Sequence, residues 1–189
     1  MRLIEIVRGS ETSQDVVATA LSFSKRLRKM GVVVGNCFGF VGNRMLYSYG
    51  RENQFLLLEG AAPEYIDKTL YDWGMAMGPH AVGDLAGLDV GYKVRQERVD
   101  LPEDPRFYRI ANLLAESGRF GQKTGKGMYL YESGSRKPIP DPEVRSLIAR
   151  EAGALGIAQR EIGADEIVER CIYALVVEGA RILEEGISP

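Results

Sequence analysis

Apolar residues recur at every second position over the first few residues and at every third or fourth position through most of the rest. The change of period predicts a strand at the start of the chain and helices after it. In Arg2–Val7, Leu3, Glu5 and Val7 share one face and Ile4 and Ile6 the other, as on a β-strand. Val32-Val33-Val34 is the one plausible partner nearby. Between them, Val16, Ala20, Phe23, Leu27 and Met30 follow helical spacing and predict one buried face. Thr12 is the expected N-cap, with Asp15 three residues on, and Gly31 the expected stop. A strand, a helix and a second strand are too little to be stable alone, so the sheet's other strands are expected outside this chain.

From about Phe40 to Glu59 the pattern is helical, with a stripe of Met45, Tyr49, Glu52 and Leu56 that Leu46 and Leu57 widen. Gly60 ends it. Pro63 opens the next helix, which carries Ile66, Leu70 and Trp73 on one face. Pro79 opens another, with Gly83, Gly87 and Gly91 four apart on one side, a spacing that predicts close approach of another backbone. Phe107, Ile110, Leu113 and Leu114 make a further helix that Gly118 stops. Met128–Tyr131 is strand-like, Glu132 to Pro142 reads as a linker, and two last helices span about 142–155 and 164–185.

One offset pairs Arg44 with Arg170, Tyr47 with Tyr173, Glu52 with Glu178 and Gly60 with Gly186. A constant offset over separated matches argues for duplication of a helical unit. The second copy has Glu169 where the first has Asn43. Units of this kind either pack on each other as a homodimer would or lie on one continuous helical core, and the chain is expected to self-associate.

Composition narrows the classes. The 189 residues carry a net charge of -2, which gives no electrostatic footprint for nucleic acid. No apolar run is long enough for a membrane span. Two cysteines and one histidine make a metal site unexpected, and a cytoplasmic location is the default reading. In Arg119–Gly127 a Gly-Lys pair invites a phosphate-loop reading, but Gly127 stands where Ser or Thr should bind magnesium. A glycine loop that closes a helical unit fits better. His80 reads as a packed or surface residue, because no carboxylate or serine partner is near it in sequence.

The chemistry is concentrated in Asn36-Cys37-Phe38-Gly39-Phe40-Val41-Gly42-Asn43-Arg44. Two glycines permit a tight turn, and Asn43 then presents an amide from a helix start. Glu5 places a carboxylate among apolar neighbours in a strand, where it either faces water or supports another catalytic group. These stretches, with Met1–Val7, Met77–Asp89 and Phe120–Tyr129, resemble the 3-hydroxyacyl-CoA dehydrogenase family, especially the dehydrogenase part of multifunctional fatty-acid β-oxidation enzymes.

The resemblance implies a mainly α fold. A β-α-β remnant of a Rossmann-type NAD-binding domain spans 1–36, a first helical domain 37–131, a linker 132–141 and a truncated second helical repeat 142–189. It implies oxidation of 3-hydroxyacyl-CoA to the ketone with NAD. Glu5 falls on the glutamate that supports the family's catalytic histidine, and Asn43 on the active-site asparagine. Arg44 is read as a structural residue of the helix start. The family histidine lies upstream of Met1, and the glycine-rich dinucleotide turn is missing as well. Ser48 stands where the family has proline or alanine. The chain is therefore expected to be a fragment, inactive alone and without cofactor-binding residues of its own, whose missing partner is the rest of the Rossmann domain.

Overall fold

A computed structural model describes residues 2–188. Met1 of the first resembling stretch lies outside the described residues. The chain is mainly α and forms two compact units, residues 1–49 with 172–189 and residues 50–171.

The first unit opens with strand β1 (Leu3–Arg8), helix α1 (Gln14–Arg26) and strand β2 (Met30–Gly35). β1 and β2 pair in parallel, with Glu5 opposite Val32 and Val7 opposite Val34. A parallel pair needs a crossover, and α1 supplies it. The N-cap is Ser13 rather than Thr12, and the Ser13 hydroxyl donates to the Asp15 carboxylate. The Thr12 hydroxyl instead accepts the N–H of Gly9 and closes the β1–α1 turn. The helix stops at Arg26. Arg28 takes the left-handed conformation expected of a glycine (φ 55), which leaves Gly31 inside β2. The predicted buried face of α1 is open: Val16 and Phe23 are more than half exposed, and Leu27 and Met30 are exposed with them. Helical period identifies an apolar face, but something must be packed on that face to bury it.

Helix α2 (Gly42–Glu59) gives its first turns to this unit. Phe38–Val41 is a turn, so Phe40 precedes the helix rather than opening it. The last turns of helix α8 (Ala164–Glu184) complete the unit, and Ile187 O accepts the N–H of Gly35 at 2.6 Å.

The second unit contains the remainder of α2, helices α3 (Pro63–Trp73), α4 (Pro79–Ala86), α5 (Leu88–Glu97), α6 (Arg109–Glu116) and α7 (Pro142–Ala154), and the first turns of α8. Its core is Leu56, Leu57 and Leu58 of α2, Ile66 and Leu70 of α3, Ile110 and Leu114 of α6, Ile148 of α7 and Ile167 of α8. Each such side chain contributes roughly 1.5–3 kcal/mol of burial. Trp73, expected on the buried face of α3, is exposed.

The single helix predicted from Pro79 is two. Gly87 has φ 99, which breaks the helix between α4 and α5. The close backbone approach expected at Gly83, Gly87 and Gly91 occurs at other glycines. A Cβ on Gly121 would collide with the Asp84 carbonyl, and one on Gly127 with the Asp84 carboxylate. Asp84 is buried and gathers the N–H groups of Met128 and Tyr129 and the Tyr131 hydroxyl, at 2.8–3.0 Å. Asp67 does the same for the N–H groups of His80 and Ala81 and the Tyr129 hydroxyl, each at 2.9 Å. The glycine loop after α6 thus docks on Asp84. Beyond it, strands β3 (Tyr129–Leu130) and β4 (Ile139–Pro140) pair antiparallel, so the stretch read as linker contains a paired strand.

Candidate active site

The start of α2 is built by two residues with positive φ. Gly39 (φ 73) and Phe40 (φ 51) turn the chain, and Arg44 N–H closes back on Gly39 O at 3.1 Å. An aromatic residue in this conformation is held there by its surroundings. The Phe40 N–H and the Cys37 Sγ both bond across the turn, and the Phe38 ring meets Tyr47 edge-on at 5.8 Å.

The turn leaves the first N–H groups of α2 without partners in the helix. Glu5 reaches them from β1. Its Oε1 accepts from Gly42 N at 2.7 Å and its Oε2 lies 3.4 Å from Val41 N. A carboxylate at a helix N-terminus is favoured by the helix dipole as well as by the bonds. Gly42 is required for this approach, since a Cβ there would stand 2.9 Å from Glu5 Oε1. Asn43 follows directly, with its side chain exposed in the first turn of α2. The two expected site residues therefore converge on one helix start. Each carboxylate oxygen of Glu5 keeps further acceptor capacity after one backbone bond.

Arg44 points elsewhere. Its Nε donates to Glu178 at 2.6 Å, and its two terminal nitrogens donate to the two oxygens of Glu185 at 2.6 and 2.8 Å. These carboxylates hold its guanidinium charged and its pKa well above the usual range. Ser48 Oγ adds a bond to Glu178 at 3.3 Å, a polar contact that proline or alanine there could not make. Sequence reasoning missed Glu178 and Glu185 as partners, although the repeat carries the signal. In the second unit Arg170 donates to Glu52 at 3.3 Å and to Glu59 at 2.6 Å. The paired positions of the two copies thus exchange partners: the Arg of each meets the Glu of the other.

His80 sits in the second unit. It is buried, and burial lowers its pKa against the pull of Asp67 and Asp84. Asp84 stands four residues on in α4, so a carboxylate is near His80 in sequence, contrary to the expectation that none is. Among the described residues no group of three His, Cys, Asp or Glu is placed to hold a metal. Nor is any described helix long and apolar enough to cross a membrane.

Comparison with known proteins divides the chain at the turn before α2. Residues 1–37 match the family model for the NAD binding domain of 3-hydroxyacyl-CoA dehydrogenase, and residues 39–131 match that for its C-terminal domain. The chain belongs to the 3-hydroxyacyl-CoA dehydrogenase family. It is 46% identical over 202 residues to the peroxisomal bifunctional enzyme of Danio rerio, covering all of this chain and 28% of that one. It is 37% identical to the glyoxysomal fatty acid beta-oxidation multifunctional protein MFP-a of Brassica napus, covering 100% of this chain and 26% of that protein. Among solved structures, the dehydrogenase part of multifunctional enzyme 1 from C. elegans is similar over 99% of this chain and 42% of its own, with 35% identity and a TM-score of 0.75. The chain thus spans little more than a quarter of the curated relatives it matches. The cytoplasmic reading is overturned, because these relatives are named peroxisomal and glyoxysomal, which points to peroxisomes. Composition carries no record of compartment.

The family's cofactor is NAD. Here β1, α1 and β2 supply a parallel unit of a dinucleotide-binding domain. They do not supply a pyrophosphate cradle: the β1–α1 turn holds one glycine, Gly9, whose N–H is taken by Thr12, and it carries the acidic Glu11. By themselves the described residues do not fit the dinucleotide.

Proposed function

We propose that this chain is part of an NAD-dependent 3-hydroxyacyl-CoA dehydrogenase that oxidises 3-hydroxyacyl-CoA to 3-ketoacyl-CoA in fatty-acid β-oxidation, with Glu5 and Asn43 as its site residues. The observation that carries this reading is the Glu5–Gly42 bond at 2.7 Å, which seats a carboxylate beside Asn43 at the start of α2. Oxidising a secondary alcohol removes a proton from oxygen, and that proton needs a base. A carboxylate beside a histidine raises its pKa and fixes its tautomer. Glu5 takes that supporting role, and the Asn43 amide hydrogen-bonds the substrate or the base. His80 is not that base. It belongs to the other unit and is enclosed there.

The domain boundaries go with this proposal: 1–36 as part of the NAD-binding domain, 37–131 as the first helical domain, 132–141 as the linker and 142–189 as part of a second helical repeat. The 189 residues alone are inactive in this reading, since they offer Glu5 a helix start and no base. In the whole enzyme, Glu5→Gln is expected to lower turnover on 3-hydroxyacyl-CoA with NAD on the order of 100-fold. Unchanged turnover would remove Glu5 from the mechanism.

A second reading, a helical assembly module without catalysis of its own, is favoured by exposed apolar residues at helical spacing on α8: Tyr173, Val176, Val177 and Leu183. It predicts self-association by light scattering. A monomeric mass at high concentration would set it aside.

A further inference from the structure

The first turns of α2 show one side to α8 and the other to solvent. Arg44 is clamped by Glu178 and Glu185, and Ser48 Oγ bonds Glu178 at 3.3 Å. Met45 meets α8 at Gly179, where a Cβ would stand 3.2 Å from the Met45 Cε. Arg44 and Ser48, four apart, thus share the packed side with Met45 beside them. Asn43 and Leu46, three apart, share the other. They are the exposed residues of α2, and Leu46 is 47% exposed. The sequence pattern puts Leu46 on a stripe expected to be buried, and it is open instead.

An exposed leucine is ordinary on a protein surface. This one adjoins a site amide, on a helix that exposes no other apolar side chain. Side chains three apart on a helix have Cβ atoms about 5–6 Å apart, so one bound molecule can touch both. Glu5 approaches from the N-terminal side of Asn43, through Val41 and Gly42, and Leu46 lies on the C-terminal side. An amide followed by an apolar side chain matches a molecule with a hydroxyl followed by hydrocarbon.

We propose that Leu46 carries the alkyl chain of the substrate and sets the preference for chain length. The inference rests on the dehydrogenase reading above, in which Asn43 meets the 3-hydroxyl or its base. The base that Glu5 supports takes the N-terminal side of Asn43. Hydrocarbon laid against that carboxylate would strip its water and return no hydrogen bond. The carbons beyond the alcohol carbon therefore run the other way, over Leu46, and bury apolar surface on both partners. A methyl group beyond the alcohol carbon falls short of Leu46, whereas a heptyl chain covers it.

The test uses the whole enzyme with NAD and two substrates, 3-hydroxybutyryl-CoA and 3-hydroxydecanoyl-CoA. The wild type is expected to have the higher kcat/KM on the longer one. Leu46→Ser should lower kcat/KM about five- to tenfold on the longer substrate and less than about twofold on the shorter. Leu46→Met keeps the apolar surface and should keep the wild-type ratio. The proposal is overturned by a ratio that Leu46→Ser leaves unchanged, by equal losses on both substrates, or by a wild type that favours the shorter one. Equal losses would assign the leucine to contact with the rest of the enzyme. Should Leu46→Ser fail to fold, Leu46→Ala is read by the same ratio. Glu5→Gln separates the two failures. If it slows both substrates while the ratio ignores Leu46, only the role of Leu46 falls. If the wild type oxidises neither substrate, or Glu5→Gln keeps full turnover, the dehydrogenase reading falls with it.

Discussion

The start of α2 and the corresponding part of α8 share a sequence pattern and do different things. Under the repeat offset, Asp165, Glu166, Ile167, Val168 and Glu169 stand in the places of Gly39, Phe40, Val41, Gly42 and Asn43. In the first unit those residues form a turn and then a helix start, with two positive φ angles and two N–H groups turned to Glu5. In the second unit α8 begins at Ala164 and is helical straight through. Without the glycines the helix spends those N–H groups on itself, and Ile167 goes into the core. The arginine is kept in both places, each time clamped by glutamates. A helix framework survives duplication; a site needs the helix to be interrupted.

The largest expected effect comes from giving the first copy the second copy's residue. Gly42→Val puts a branched side chain against Glu5, whose Oε1 stands 2.9 Å from where the new Cβ must go. It should push the carboxylate off the N–H groups of residues 41 and 42, at a cost of about 1.5–3 kcal/mol in denaturant unfolding, and speed their amide exchange. If stability and exchange were unchanged, the Glu5 contact would not be what shapes this helix start.

The arginine clamps give the next effect. Arg170 is shared by Glu52, Glu59 and Glu166, and Arg44 by Glu178 and Glu185, of which Glu185 is half exposed. Arg170→Met should destabilise by about 1–3 kcal/mol and Arg44→Met by less, because more carboxylate is left poorly paired in the first case. Equal or reversed losses in urea titrations would break the ranking.

The smallest effect is in acid. Glu166, which occupies the place of Phe40, has its pKa held at about 2 by Arg160 first and Arg170 second, against an ordinary 4.5. A carboxylate depressed on folding stabilises above its unfolded pKa, and that stabilisation is lost as pH falls from about 4.5 towards 2. The groups are partly exposed, so salt screens the effect. Melting temperatures between pH 5 and 2 should fall less steeply in Glu166→Gln. Parallel curves would show that the bridge contributes nothing.

Much of the fold is legible in the sequence. Alternation in Arg2–Val7 marks β1, the valine run marks β2, and Gly60 and Pro63 place the α2–α3 corner. The choice of Glu5 and Asn43 as site residues comes from the family resemblance. What escapes the sequence is set by tertiary contact. Asp67 and Asp84 look like ordinary acidic residues until tyrosines and backbone N–H groups from 44 to 62 residues further on, or 13 and 14 in the case of α4, close on them. Spacing alone misplaces the role of the helical glycines, because Gly87 adopts a positive φ that a spacing rule cannot see. It also buries a face of α1 that is open, because periodicity marks an apolar face without marking what covers it.

The Arg44 clamp also sets an order of events in folding. Its partners lie 134 and 141 residues further along the chain. The second unit is one continuous segment, 50–171, whereas the first is split between the two ends. During synthesis the second unit can collapse as soon as its own residues emerge, while the first must wait for the last turns of α8. The carboxylate and amide at the start of α2 are therefore made before the glutamates that fix the arginine beside them.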